Sequence, residues 1–338
     1  MKKLSIGIVG LPNVGKSTLF NILTGQSVTS ANYPFATIDP NVGMVRVPDE
    51  RLDKLAELSD SKEKIPAVVE FYDIAGLVKG AHKGEGLGNK FLSHIKNTHA
   101  ILHLVRVFEG RNIVHVEGAA DPMRDIQTIE DELILTDLFT IENHIERVRG
   151  KTRTGDREAK KELETLEKVK QVLESGTPLA ASDMYTENDV QRAVRHIHLL
   201  TAKHQLFLLN GEASEISDEL KQKITSMGFD YVVADLAEQN TIPNLITKAY
   251  EVLNLISFFT TGEKETRAWT TMRGVKAPEA AGVIHSDFEE KFIRLETINW
   301  EKLIEAGGWN KARDKGLIRV EGKEYIVKDG DVVVVRHG

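Results

Sequence analysis

Apolar positions along the chain fall into three textures. In the first, short, mostly apolar runs at 5–9, 68–72, 101–107, 205–209 and 231–234 alternate with stretches of helical spacing, the first of them at 16–24. Apolar runs this short read as strands buried on both faces. Strands that alternate with helices read as a mostly parallel sheet covered on two sides.

The second texture occupies about 121–201. Ile134, Leu138, Ile141, Ile145 and Val148 step by four, three, four and three, the spacing of a seam between two helices. Leu163, Leu166, Val169 and Leu173 form a second stripe, which Gly176 and Pro178 stop. Gly150 and Gly155 bound a turn between the two, so a helical hairpin inserted into the α/β unit is expected. From Leu255 onward short strands are expected at 292–295, 317–320, 325–327 and 332–335, with Lys328-Asp329-Gly330-Asp331 as a tight turn. A chain of 338 residues exceeds one hydrophobic core. The expected organisation is an α/β unit over 1–254 with its hairpin, followed by a small α+β domain over 255–338.

Composition narrows the chemistry. The chain has no cysteine, which excludes disulfides, thiolate metal sites and cysteine nucleophiles. Met1-Lys2-Lys3-Leu4 imitates a signal peptide, but the apolar run breaks at Gly10 and Pro12 without a small-residue cleavage site. No stretch approaches the ~20 apolar residues needed to cross a bilayer, so a cytoplasmic protein without membrane contact is expected. A net charge of -7 gives no general attraction for nucleic acid, and no DNA partner is expected. The charge is uneven, however. Residues 255–338 balance at 14 basic and 14 acidic side chains. At the expected hairpin tip, Arg147, Arg149, Lys151, Arg153, Arg157, Lys160 and Lys161 face only Asp156 and Glu158. That cluster is either a phosphate-contacting surface or a solvated hairpin end.

Gly10-Leu11-Pro12-Asn13-Val14-Gly15-Lys16-Ser17 matches the phosphate-binding loop G-x-x-x-x-G-K-[ST], after a strand and before a helix. The glycines let backbone N–H groups from Asn13 to Thr18 turn inward on phosphate oxygens beside a helix N-terminus. Lys16 would reach the β/γ-phosphates, and the Ser17 hydroxyl would ligate Mg²⁺. Asp73-Ile74-Ala75-Gly76 follows the run at 68–72, where the aspartate would hold the Mg²⁺ and Gly76 would offer its N–H to the γ-phosphate. Thr37 lies between the two motifs, in position to complete the metal shell; Thr24 and Thr29 share that interval.

Together with Leu77-Val78-Lys79-Gly80 and Lys83-Gly84-Glu85-Gly86-Leu87-Gly88-Asn89, these motifs closely resemble the Obg-like ATPase, or YchF, family. The likeness continues through Phe258-Phe259-Thr260, Arg267-Ala268-Trp269 and 283–288 to 321–331, and so covers nearly the whole chain. It implies a Ras-like P-loop NTPase domain, an inserted helical hairpin and a C-terminal TGS domain of β-grasp fold. It also implies ATP hydrolysis with Mg²⁺, and binding to the ribosome or its large subunit through rRNA. Ras-like switches orient the attacking water with a glutamine, but Leu77 occupies that position here and cannot hydrogen-bond water. The resemblance supplies a substitute in His115, which joins Lys16 as the expected catalytic pair. Asn13 is similar to the asparagine by which related enzymes hold K⁺ beside the phosphates.

One motif departs from the family. Guanine-reading switches carry Asn-Lys-x-Asp after a late strand, and the Obg-like family has Asn-x-x-Glu; Asn210-Gly211-Glu212-Ala213 has no acid at the fourth position. Asn210, Gly211 and Glu212 remain the expected base-reading residues, and Glu212 or Glu215 is the candidate to compensate. Three rivals stay open: a GTPase of the same architecture, a small-molecule kinase and a non-catalytic RNA-binding scaffold. The glycine-rich stretch after Asp73 and the lack of an arginine-rich lid count against the kinase.

Overall fold

The computed structural model describes residues 5–25, 41–73, 95–108, 121–152, 156–237 and 242–338. The chain begins with β1 (Ser5–Val9), α1 (Lys16–Gly25), β2 (Val42–Arg46), α2 (Glu50–Leu58), β3 (Glu63–Ile65), β4 (Val68–Asp73) and β5 (Ala100–Arg106). The helices α3 (Pro122–Thr152), α4 (Arg157–Glu174) and α5 (Asn188–Val194) follow, then β6 (Gln205–Asn210), α6 (Asp218–Ser226), β7 (Asp230–Ala234) and α7 (Ile242–Val252). A first sheet takes the order β2-β4-β1-β5-β6-β7. It is parallel throughout except where β2 lies antiparallel to β4. Strands β1, β5 and β6 are buried along their whole length, including the polar Ser5, His103, Arg106, Gln205 and Asn210. On one face Leu19 and Leu23 of α1 and Leu245 and Ile246 of α7 share a core with Ile6 and Ile8. On the other, Ile126 of α3 and Leu220 and Ile224 of α6 pack with Val105, Phe207 and Leu209.

Helix α3 serves two cores. Its early turns place Ile126, Ile129 and Leu133 on the sheet, whereas Ile134, Ile141, Ile145 and Val148 pack against Ala159, Leu166, Val169 and Leu173 of α4. Asp156 caps α4 by accepting from the N–H groups of Glu158 and Ala159. The hairpin is fastened at its base by Asp137, a fully buried carboxylate. It accepts from Leu200 N–H at 2.9 Å, Thr201 N–H at 2.7 Å and the Thr201 hydroxyl at 2.6 Å. Burial lifts its carboxyl to about 6, against the pull of those three hydrogen bonds.

A second sheet is built from β8 (Leu255–Thr261), β9 (Glu265–Met272), β10 (Phe292–Asn299), β11 (Arg319–Glu321) and β12 (Asp331–His337), in the order β11-β10-β12-β8-β9-β3. Helices α8 (Ala277–Ile284), α9 (Ser286–Glu290), α10 (Trp300–Ala306) and α11 (Trp309–Asp314) complete it. The sixth strand comes from far upstream: β3 pairs in parallel with β9, Glu63 opposite Glu265 and Ile65 opposite Arg267. Helix α2 comes with it. Arg51 bridges Asp49 and Asp329, each at 2.7 Å, and Asp329 also accepts the Ser257 N–H at 2.9 Å. Leu52 and Leu55 share their core with Phe259, Ile298, Leu303 and Val332.

The strand expected at 325–327 is reduced to a single bridge between Ile326 and Lys276. Its backbone is taken up locally: Tyr325 accepts from Ala277 N–H, and Val327 donates to the carbonyl of Val275. Strands β8 and β9 are additions to the expected set, as are β2 and β3.

Candidate functional site

Three strand ends meet at one edge of the first sheet. After β1 the chain turns at Gly10, whose φ is +150°; a Cβ there would lie 2.4 Å from the Leu104 carbonyl oxygen of β5. A bare glycine is what lets the loop leave the sheet so close to its neighbour. Asn13 takes the left-handed conformation at φ 63°, and Val14 is buried beneath the loop. Gly15, at φ +110°, would drive a Cβ to 2.9 Å from Asn210 Nδ2. Lys16 opens α1, and its ammonium folds back to donate to the carbonyls of Gly10 at 2.8 Å and of Leu11. Burial lowers its pKa to about 8, while the nearby Asp73 carboxylate pulls the other way.

Ser17 and Thr18 lie exposed in the first turn of α1, which holds no acidic side chain. The positive end of that helix is therefore not neutralised from within. Asp73, the last residue of β4, is buried, and its backbone N–H donates to Asn41 at 2.9 Å. Lys16, Ser17 and Asp73 are thus the described candidates for phosphate and Mg²⁺. Thr37, Gly76, Leu77 and His115 lie outside the described residues.

The loop that holds the expected base-reading residues follows β6. Asn210 at the end of β6 is buried, and both ends of its amide are engaged: Nδ2 donates to the Val14 carbonyl at 2.9 Å, and Oδ1 accepts from Leu236 N–H at 3.2 Å. It ties the phosphate loop to two strand ends. Gly211 donates its N–H to Ala234 at 3.1 Å, and Glu212 donates its own to Glu215 Oε2 at 2.8 Å. Ala213 is exposed and carries only a methyl. Glu215 therefore belongs to this loop, and the signal for it is its spacing of three from Glu212, that of a capping box. Arg106, which its sequence context did not mark, is buried at the end of β5, with its guanidinium 4.3 Å from the Phe108 ring centre.

The model of a family named YchF-GTPase_C, described as a protein of unknown function, matches residues 255–338. A second, described as a 50S ribosome-binding GTPase, matches residues 5–144. The chain is 47% identical to the "Ribosome-binding ATPase YchF" of Bacillus subtilis (strain 168), over 98% of this chain and 99% of that protein. The chain belongs to the YchF family. Its likeness to "Obg-like ATPase 1" of Oryza sativa subsp. japonica is 40% identity, over 98% of this chain and 91% of the relative. The solved structure of the Schizosaccharomyces pombe YchF GTPase superposes with a TM-score of 0.88 at 38% identity, covering 99% of this chain and 98% of that one. Membership of the YchF family makes the first domain a P-loop nucleoside-triphosphate hydrolase. The names of the relatives divide between ATPase and GTPase, so base choice has to be argued from this chain's own residues. Among the described residues, no helix is long and apolar enough to cross a membrane.

Proposed function

We propose that the chain hydrolyses ATP to ADP and phosphate with Mg²⁺, in the cytoplasm and in association with the ribosome or its large subunit. The observation that carries the choice of ATP is Ala213. Guanine presents N1–H and N2–H donors, and the position that would answer them with a carboxylate holds a methyl.

Hydrolysis rests on the phosphate loop. Its N–H groups and the Lys16 ammonium would hold the phosphates, and Ser17 and Asp73 offer the hard oxygen donors that suit Mg²⁺. Among the described residues no group of three or more His, Cys, Asp or Glu side chains could hold an ion unaided, so the metal would depend on phosphate oxygens as well. The ion would neutralise charge developing between the β- and γ-phosphates. Thr37 as a further metal ligand, Gly76 on the γ-phosphate, His115 as the group that orients the attacking water, and K⁺ beside Asn13 are supported by the family resemblance.

Ribosome association is supported by the names of the relatives and by the hairpin tip. There Arg149 pairs with Glu146 at 2.8 Å and Glu167 at 3.1 Å, and Lys161 pairs with Asp189 at 3.0 Å. Arg147, Arg157 and Lys160 are exposed and are the better candidates for phosphate contact. Calorimetry with ATP and GTP, together with co-sedimentation on ribosomes over a salt series, tests the proposal. ATP should bind at least ~10-fold more tightly, and sedimentation should weaken as salt rises. Equal affinities would overturn the choice of ATP, and salt-independent or absent sedimentation would overturn the role of the tip.

A further inference from the structure

The parallel strands of the first sheet have a second edge, opposite the phosphate loop, where Ser5, Ala100 and Gln205 begin β1, β5 and β6. A cleft of about 1250 Å³ opens between that edge and the segment around α5. Lys96, Arg192, Arg195, His198 and Lys203 line it, and Glu70 is the one carboxylate among its described lining residues. Arg192 and Arg195 are exposed, whereas Lys203 is half-buried. Lys203 Nζ donates to the carbonyl of Lys96 at 3.1 Å and to that of Thr98. Burial lowers its pKa to about 8, although Asp137 of α3 pulls the other way.

A neutral primary amine has two N–H groups and one lone pair. The carbonyls of Lys96 and Thr98 take both hydrogens, so the lone pair is what Lys203 has left to offer the cleft. At pH 7.5 roughly a quarter of such a group is neutral, against about 0.1% of an ordinary exposed lysine. That difference makes Lys203 a nucleophile under conditions where its exposed counterparts are not. Arg192 and Arg195 in the same cleft offer the charge-assisted donors that seat a phosphate group. We infer that Lys203 is an acylation site, modified by small acyl phosphates whose phosphate binds the arginines of this cleft. The Lys203 nitrogen attacks the acyl carbonyl carbon and forms an amide bond. The carbon–oxygen bond to phosphate breaks, its electron pair leaves on inorganic phosphate, and the amine proton goes to that phosphate. The amide keeps one N–H, so one of the two carbonyls loses its donor and the cleft loses a positive charge.

Treatment of the full-length protein with acetyl phosphate at pH 7.5, read by peptide mass spectrometry, tests the assignment. Lys203 should be acetylated at least ~10-fold faster than Lys160, which is exposed on α4. Arg192→Gln combined with Arg195→Gln should slow the modification of Lys203 by ~5-fold or more with acetyl phosphate. The same double variant should leave the rate unchanged with p-nitrophenyl acetate, an uncharged donor that needs no phosphate seat. Modification of Lys203 no faster than Lys160 would overturn the inference. An equal loss with both donors would also overturn it, by marking an effect on the amine itself, and so would full retention of the acetyl phosphate rate.

Discussion

Lys16 sits where burial favours its neutral form until an anion arrives. In the unfolded chain it titrates near 10.5, and in the folded protein near 8. Between those values the unfolded state binds more protons, so the stability of the nucleotide-free protein should rise with pH across the window. A bound polyphosphate favours the ammonium and raises its pKa. Binding above about pH 8 should therefore take up a proton, with affinity level below pH 8 and falling by up to about tenfold per unit above it. Calorimetry at pH 8.5 in buffers of different ionisation enthalpy measures that uptake, and Lys16→Ala should abolish it together with hydrolysis. Asn210→Ala makes a different prediction. It strands the Val14 carbonyl and the Leu236 N–H, which should cost about 1–3 kcal/mol in a urea melt and weaken every nucleotide alike. The phosphate loop was legible in the sequence because its residue types stand at fixed spacing within one short segment, between a strand and a helix. The work of Asn210 was not, since its partner Val14 lies 196 residues away and spacing gives a place, not a partner.

Among the elements, the hairpin was legible because its period is local: the stripes at 134–148 and 163–173 are the buried faces of α3 and α4. Strands β2 and β3 were not. Gly43 interrupts β2, and its missing Cβ is what admits Thr24 and Phe20 of α1. In β3 Glu63 and Lys64 are exposed and only Ile65 is buried, so no alternation marks it, and its partner β9 alone makes it a strand. The anchor at the hairpin base yields a test. Asp137→Ala leaves the buried Leu200 and Thr201 donors unpaired, at a cost of roughly 2–4 kcal/mol. The native carboxyl holds its proton up to about 6, against 3.8 unfolded, so its contribution is fully present below pH 4 and shrinks as pH rises through 6. Urea melts of the variant and the wild type at pH 4.5 and 7 should therefore differ more at the lower pH.

Over the whole molecule, the decisive feature is an excursion. The chain leaves the first sheet after β2, contributes α2 and β3 to the second, and returns as β4 beside β2. Arg51 is its polar clasp. Arg51→Ala should cost about 1 kcal/mol, discounted for the partial exposure of the pair with Asp329, and should speed amide exchange in β9 more than in β5. Equal exchange in both strands would remove Arg51 from that role. The excursion also imposes an order on birth. A ribosome makes β3 about 200 residues before the β9 segment it must pair with. At roughly 5–20 residues per second that is an interval on the order of 10–40 s. Throughout it, Leu52 and Leu55 of α2 have no Phe259 or Val332 to cover them, and the nascent first domain displays the apolar face of an amphipathic helix and an unmated strand. Release of the last residues is then the event that closes the molecule, so a chain stalled before about residue 260 should be the form that chaperones hold and proteases cut within 50–65.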